Sequence, residues 1–223
     1  MSSGEDWLQD PLIIRIDRGS DKRRKLKSPD DEQNDLWWSF HFATRLKLNG
    51  ADHFCRQVLG AASMSYRKGL PLLAHRQLEW YLDAFFFELM SAYDTLLQEL
   101  NIVYEIGFKL DEVRWNDKKP TKFMNALPEK ITNYMDIERN KDWFKKVRKY
   151  RNMATHHYLV PISSWETGWG DEPLDYTTHE VHIHYLGEGA DFKGEDVKMC
   201  KKYLNNMVKY IRSVWKEMAG EFQ

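Results

Sequence analysis

The chain has 223 residues, 42% of them hydrophobic and 30% charged, with a formal net charge of -1 at pH 7. That balance is of a soluble globular protein large enough for one domain, or for one domain with an appendage, and any affinity for nucleic acid must come from a local patch. No apolar run reaches the length of a membrane span, Cys55 and Cys200 fit no metal or disulfide framework, and the acidic N-terminal stretch broken by Pro11 has no apolar signal region, so a cytoplasmic protein with free thiols is expected.

In chain order, Leu12-Ile13-Ile14-Arg15-Ile16 reads as an edge strand, and the charge-dense stretch from Asp17 to Asp35 as a loop. From Trp38 to Leu48, apolar residues recur mostly at alternate positions (Trp38, Phe40, Phe42, Leu46, Leu48), which favours a half-buried strand ending at the turn signal Asn49-Gly50. A helix is the alternative there, because Trp37, Phe40 and Thr44 share a helical face. Asp52 is placed to cap a helix through about Arg67, stopped by Gly69 and Pro71. The longest helical pattern runs from Leu72 to about Asn101, with Leu78, Leu82, Phe85, Phe86, Leu89, Tyr93, Leu96, Leu97 and Leu100 at three- and four-residue spacing.

Residues 102–118 read as a turn and loop around Gly107. A short helix follows from Pro120-Thr121 to Leu127, resuming from Pro128 to Met135. A basic helix is expected over about 139–158, then an insert at about 160–190 carrying a strand at Thr177–Leu186. The last helix is expected from Gly194 or Glu195 to about Met218, with Val197, Cys200, Leu204, Met207, Val208, Ile211 and Trp215 as its apolar stripe. No repeat and no low-complexity linker divides the chain. The expected organisation is therefore an N-terminal extension over 1–50 with possible strands, then a helical bundle over 51–223, in one compact domain.

The basic helix carries the chemistry. From Arg139 to Arg151, seven of thirteen residues are Lys or Arg. Lys145, Lys146, Arg148 and Lys149 are the candidates for contact with RNA phosphates. At its end stands Arg151-Asn152-Met153-Ala154-Thr155-His156: a fixed cation, an amide and a side chain that titrates near neutrality. The set suits phosphodiester chemistry, with the arginine neutralising phosphate and the imidazole moving a proton at a ribose hydroxyl. Arg151 falls within the apolar stripe, four residues after Val147, so it needs an anionic partner; Glu88 and Asp94 are candidates. In an unbroken helix Arg151 and His156 stand about 140° apart around the axis. They converge only if the helix ends near Thr155, or if two copies of the pair meet across a symmetric dimer. The same residues also have a purely structural reading, in which they cap carbonyls and complement the helix dipole.

A second constellation, Glu180, His182 and His184 on one face of a strand with His179 on the other, is a reasonable donor set for a transition metal, but no fourth ligand is indicated and no metal site is assigned. Ser63, Ser65 and Ser91 lack the Gly-flanked elbow of a hydrolase nucleophile, and there is no phosphate loop or dinucleotide fingerprint.

Arg151, Asn152 and His156 match the Arg-Asn-three residues-His form carried by RNase members of the HEPN superfamily, which the chain resembles over about 52–158 and 194–219. Ser91-Ala92-Tyr93-Asp94 on the long helix is similar to the acidic or polar position these proteins place on an earlier helix. The resemblance implies a mainly α, up-and-down HEPN-like bundle with a small β appendage. It also implies RNA cleavage without metal or other cofactor at a cleft shared by two protomers, in a bacterial defence, toxin or stress system with a possible protein antitoxin. By that likeness Arg151 stabilises phosphate charge, His156 acts as general acid or base with His157 as its substitute, and Asn152 orients the His or the phosphate. The insert after the His, with Trp165, Glu166, Trp169, Asp171 and Glu172, either covers such a cleft or blocks it. The alternative is a non-catalytic HEPN-like module that binds nucleotides, RNA or a protein.

Overall fold

The computed structural model describes residues 31–65, 72–116, 121–156, 162–165, 180–183 and 194–220. Among these are six helices: α1 (Asp31–Ser65), α2 (Leu72–Val103), α3 (Lys122–Ala126), α4 (Glu129–Asn140), α5 (Asp142–His156) and α6 (Met199–Gly220). Three short strands, β1 (Ile162–Trp165), β2 (Glu180–Ile183) and β3 (Glu195–Asp196), complete the described elements. The protein is mainly helical with a small β addition, as expected. No helix among the described residues is long and apolar enough to cross a membrane.

The first half of α1 corrects the strand expected at Trp38–Leu48. Along one face α1 buries a row at Trp37, His41, Thr44, Leu48, Ala51, Cys55, Val58 and Ala62, in alternating four- and three-residue steps, with Arg45 buried beside it. Two of them are polar, and Trp38, Phe42 and Leu46 are exposed, so counting apolar residues alone produced a false alternation. Asp31–Asp35 is helical rather than loop, Asn49-Gly50 lies inside α1 rather than in a turn, and Asp52 begins no new helix. Gly50 marks a close approach, for a Cβ there would sit 3.1 Å from Glu88 Oε2 on α2.

The later elements follow expectation with shifted ends. Thr121 caps α3 through its hydroxyl, which accepts from the Met124 N–H at 3.1 Å. α4 runs on past Met135 to Asn140, and Lys141, extended at φ -65° and ψ 144°, separates it from α5. Arg139 therefore belongs to α4 and not to the basic helix. The expected start of the last helix at Gly194 or Glu195 is instead β3, with α6 starting at Met199. The strands expected at Leu12–Ile16 and in the outer parts of Thr177–Leu186 lie outside the described residues.

The chain gathers into two compact units, Met1–Asn49 with Ser91–Phe144 and Asn206–Gln223, and Gly50–Met90 with Lys145–Asn205. In the first unit, Trp37, Leu96, Leu100, Phe144, Tyr210, Ile211 and Trp215 are buried around a polar knot. There the Glu99 carboxylate accepts from His41 Nδ1 at 2.8 Å, from Trp215 Nε1 at 3.1 Å and from the Thr44 hydroxyl. His41 stacks on Trp37 with ring centroids 4.8 Å apart. A wholly buried carboxyl group persists because its oxygens are satisfied by three donors from two helices, α1 and α6.

In the second unit the core comprises Leu82, Phe85, Phe86, Val147, Tyr150, Cys200 and Tyr203. Phe86 stacks on Tyr150 at 4.7 Å, and Phe87, the last of the Phe85-Phe86-Phe87 run, is exposed. The sheet has the order β1-β2-β3, antiparallel throughout, with Ile162 opposite Ile183 and Ile183 opposite Glu195. Val181 and Ile183 are buried while His182 between them is half-buried, the alternation a one-sided sheet imposes. This register carries Glu195 toward α5 and α6.

Candidate functional site

α5 is amphipathic by sequence. Phe144, Val147, Tyr150 and Met153 form its buried row, Asp142 in its first turn complements the helix dipole, and the cations take the remaining faces. The basic stretch does not act as one surface, however. Arg139 is 6% exposed, its guanidinium carbon 5.0, 5.4 and 4.9 Å from the ring centroids of Tyr93, Trp115 and Phe144. Such a cage holds a desolvated cation by the negative faces of the rings. Lys141 reaches back to Glu138 at 2.6 Å.

Lys146 turns to the sheet. Its ammonium pairs with Glu195 Oε1, while Glu195 Oε2 accepts from the Tyr150 hydroxyl at 3.0 Å and from the Tyr203 hydroxyl. One carboxylate on β3 thus ties together two turns of α5 and the start of α6. Lys146 and Tyr150 stand 49 and 45 residues from Glu195, too far for any local pattern to show the link.

The outer face of α5 carries a compact group. Lys145, Arg148, Lys149, Asn152 and Met153 line an open pocket of about 290 Å³. Lys145, Lys149 and Asn152 are exposed, Arg148 is half-buried, and Met153 forms the apolar floor. Arg151 is half-buried, and its guanidinium donates to the neighbouring Asn152 Oδ1 at 3.4 Å. The Thr155 hydroxyl donates back to the Arg151 carbonyl at 2.9 Å, one turn earlier.

α5 continues without a break through His156. Within that helix the positions of Arg151 and His156 are five residues apart, about 140° around the axis. In register, position 156 instead follows 145, 149 and 152 along one row of the helix. Of the other sequence candidates, Glu88 is half-buried on α2 against Gly50, and Asp94 is exposed on the same helix. His157, Glu166, Trp169, Asp171, Glu172, His179 and His184 lie outside the described residues. Among the described residues no group of three His, Cys, Asp or Glu side chains is placed to hold a metal ion.

The family model described as HEPN_Cthe2314-like HEPN matches residues 43–212, a span that takes in α1 from Ala43 through most of α6, and so includes the pocket and the Arg151–His156 motif. No curated protein and no solved structure matches the chain.

Proposed function

The chain belongs to the HEPN_Cthe2314-like HEPN family, and from that premise we propose that it is a metal-independent endoribonuclease whose site is completed by two copies of the chain. The observation that carries the reading is the unbroken course of α5 through its Arg-Asn-three residues-His motif. Positions 151 and 156 stand about 140° apart around that helix, which favours a phosphodiester met by Arg151 of one copy and His156 of a second. In that cleft the guanidinium of Arg151 stabilises charge developing on the phosphate, and His156 moves the proton of the ribose 2′-hydroxyl or of the leaving oxygen. The outward cations Lys145, Arg148 and Lys149 guide the strand. The setting is a cytoplasmic defence, toxin or stress system, with a protein antitoxin as natural partner.

Purified protein incubated with a labelled mixed RNA in EDTA tests this, beside Arg151→Ala and His156→Ala variants that keep the parent's circular dichroism. The expected result is cleavage by the parent and loss of at least a hundredfold in each variant. An intact RNA with the folded parent returns the protein to the second reading, a non-catalytic module that binds nucleotides, RNA or a protein.

A further inference from the structure

The first turns of α1 carry an exposed face without charge. Between Leu36 and Leu46 the exposed side chains are Leu36, Trp38, Ser39, Phe42 and Leu46, and the one Lys or Arg in that span, Arg45, is buried. The Ser39 hydroxyl is turned back onto the Asp35 carbonyl at 2.8 Å, so the face makes little polar demand on its surroundings. At 42, 36, 54 and 55% exposure, Leu36, Trp38, Phe42 and Leu46 leave on the order of 400 Å² of apolar surface in water, a patch of the size that often marks an interaction site. Asp35, exposed at one end, is acidic, and no exposed lysine or arginine stands between it and Leu46. That disfavours an anionic lipid surface as the occupant.

The occupant follows from the order of residues on this face. Asp35, Trp38, Phe42, Leu46 and Asn49 follow one another at steps of three, four, four and three residues, which keep them on one side of the helix and read the same from either end. We propose that the face pairs with the same face of a second copy of the chain, helix against helix and antiparallel, with Phe42 at the two-fold axis. Phe42 then meets Phe42 of the partner subunit, Trp38 meets Leu46 of the partner subunit, and Asp35 meets Asn49 of the partner subunit. The large indole lies opposite the smaller Leu, and the carboxylate faces an amide that can donate to it. A parallel pairing would set Asp35 against Asp35 of the partner subunit, like charge on like charge, and crowd both indoles at one end. A helix of unrelated sequence gains nothing from a row that is its own reverse, whereas a two-fold contact uses that symmetry at every position. The apolar side chains of the two copies bring at most roughly 800 Å² together, about half of a standard interface, so the pairing is reversible and depends on concentration. The contact uses no residue of α5 and does not rest on the RNase reading.

Cross-linking between copies reads the pairing directly. Cys55 and Cys200 are buried, so a single thiol placed on the face is the one that copper–phenanthroline oxidises. Phe42→Cys should give a disulfide-linked dimer in about tenfold higher yield than Ile137→Cys, an exposed control on α4, because the bond closes only where two Cβ atoms come within about 4.5 Å. Trp38→Cys and Leu46→Cys should each stay unlinked alone and link to one another when mixed, as the antiparallel register requires. Sedimentation velocity measures the association without added thiols. The parent should shift to larger species as its concentration rises, and Phe42→Glu, shown to be folded by circular dichroism, should weaken that association at least about tenfold. Equal yields at positions 42 and 137 overturn the proposal, and so does a parent that sediments as a monomer at every concentration. A Phe42→Glu protein that associates like the parent also overturns it; the copies then meet through another face, and the RNase reading stands untouched. Linkage of Trp38→Cys to itself contradicts the antiparallel register.

Discussion

Arg139 and Lys149 come from one basic stretch of sequence, yet the fold uses them in opposite ways. Arg139 is drawn into a cage of three rings and serves the interior, while Lys149 stands exposed at a pocket beside the motif. Lys146 lies between these extremes, half-buried and paired with Glu195. A run of like charges is therefore no measure of a binding face. What decides each residue's role is the register of its helix and the elements that this register brings beside it.

That contrast is open to direct attack. The largest effect is expected at Arg139. Arg139→Ala empties the aromatic cage and should cost about 3 kcal/mol, which at roughly 2–4 °C per kcal/mol for a chain of this size is a plain fall in the unfolding midpoint. Oligonucleotide affinity of the protein that remains folded should not change. A stable Arg139→Ala protein with weakened RNA binding would move Arg139 to the outer face and erase the distinction.

A smaller effect is expected where β3 meets α5. Glu195→Gln removes the countercharge of Lys146 and weakens the bonds from Tyr150 and Tyr203, at a cost of about 1–2 kcal/mol in denaturant unfolding. Lys146→Met should cost less and leave RNA affinity at the parent's level. Should Lys146→Met weaken RNA binding as much as Lys149→Ala, Lys146 belongs with the pocket after all.

The least perturbing probe is chemical. Burial, reinforced by Asp52, pushes the Cys55 thiol up to about 11, and burial holds Cys200 well above the ordinary thiol range. Since the thiolate is the nucleophile, neither cysteine should react with a maleimide at neutral pH until the protein is unfolded. Mass spectrometry after brief labelling reads this, and labelling of either thiol in a pocket variant would show that the variant had opened the second unit's core.

The sequence made some of this architecture readable and hid the rest for physical reasons. The α2 stripe was plain because its buried face is almost wholly apolar, and α3 because Thr121 is a standard cap. α1 was obscured because His41 and Thr44 occupy buried positions, satisfied by a carboxylate more than fifty residues away. The short β3 was hidden in an expected helix start, since two residues carry no period. At the site, the motif and the flanking cations were legible as residue types. Their division among Tyr93, Trp115, Phe144, Glu195 and the pocket was not, because it depends on partners distant in sequence.

The claim most exposed to test is that one phosphodiester is served by Arg151 of one copy and His156 of another. Arg151→Ala and His156→Ala proteins, each inactive alone, are unfolded together, refolded as a mixture and assayed on RNA in EDTA. Random pairing makes half the dimers mixed, and each mixed dimer keeps one intact site of two, so about a quarter of the parent's activity should return. A mixture as inactive as its components, with mixed dimers demonstrated by native mass spectrometry, would contradict the shared site.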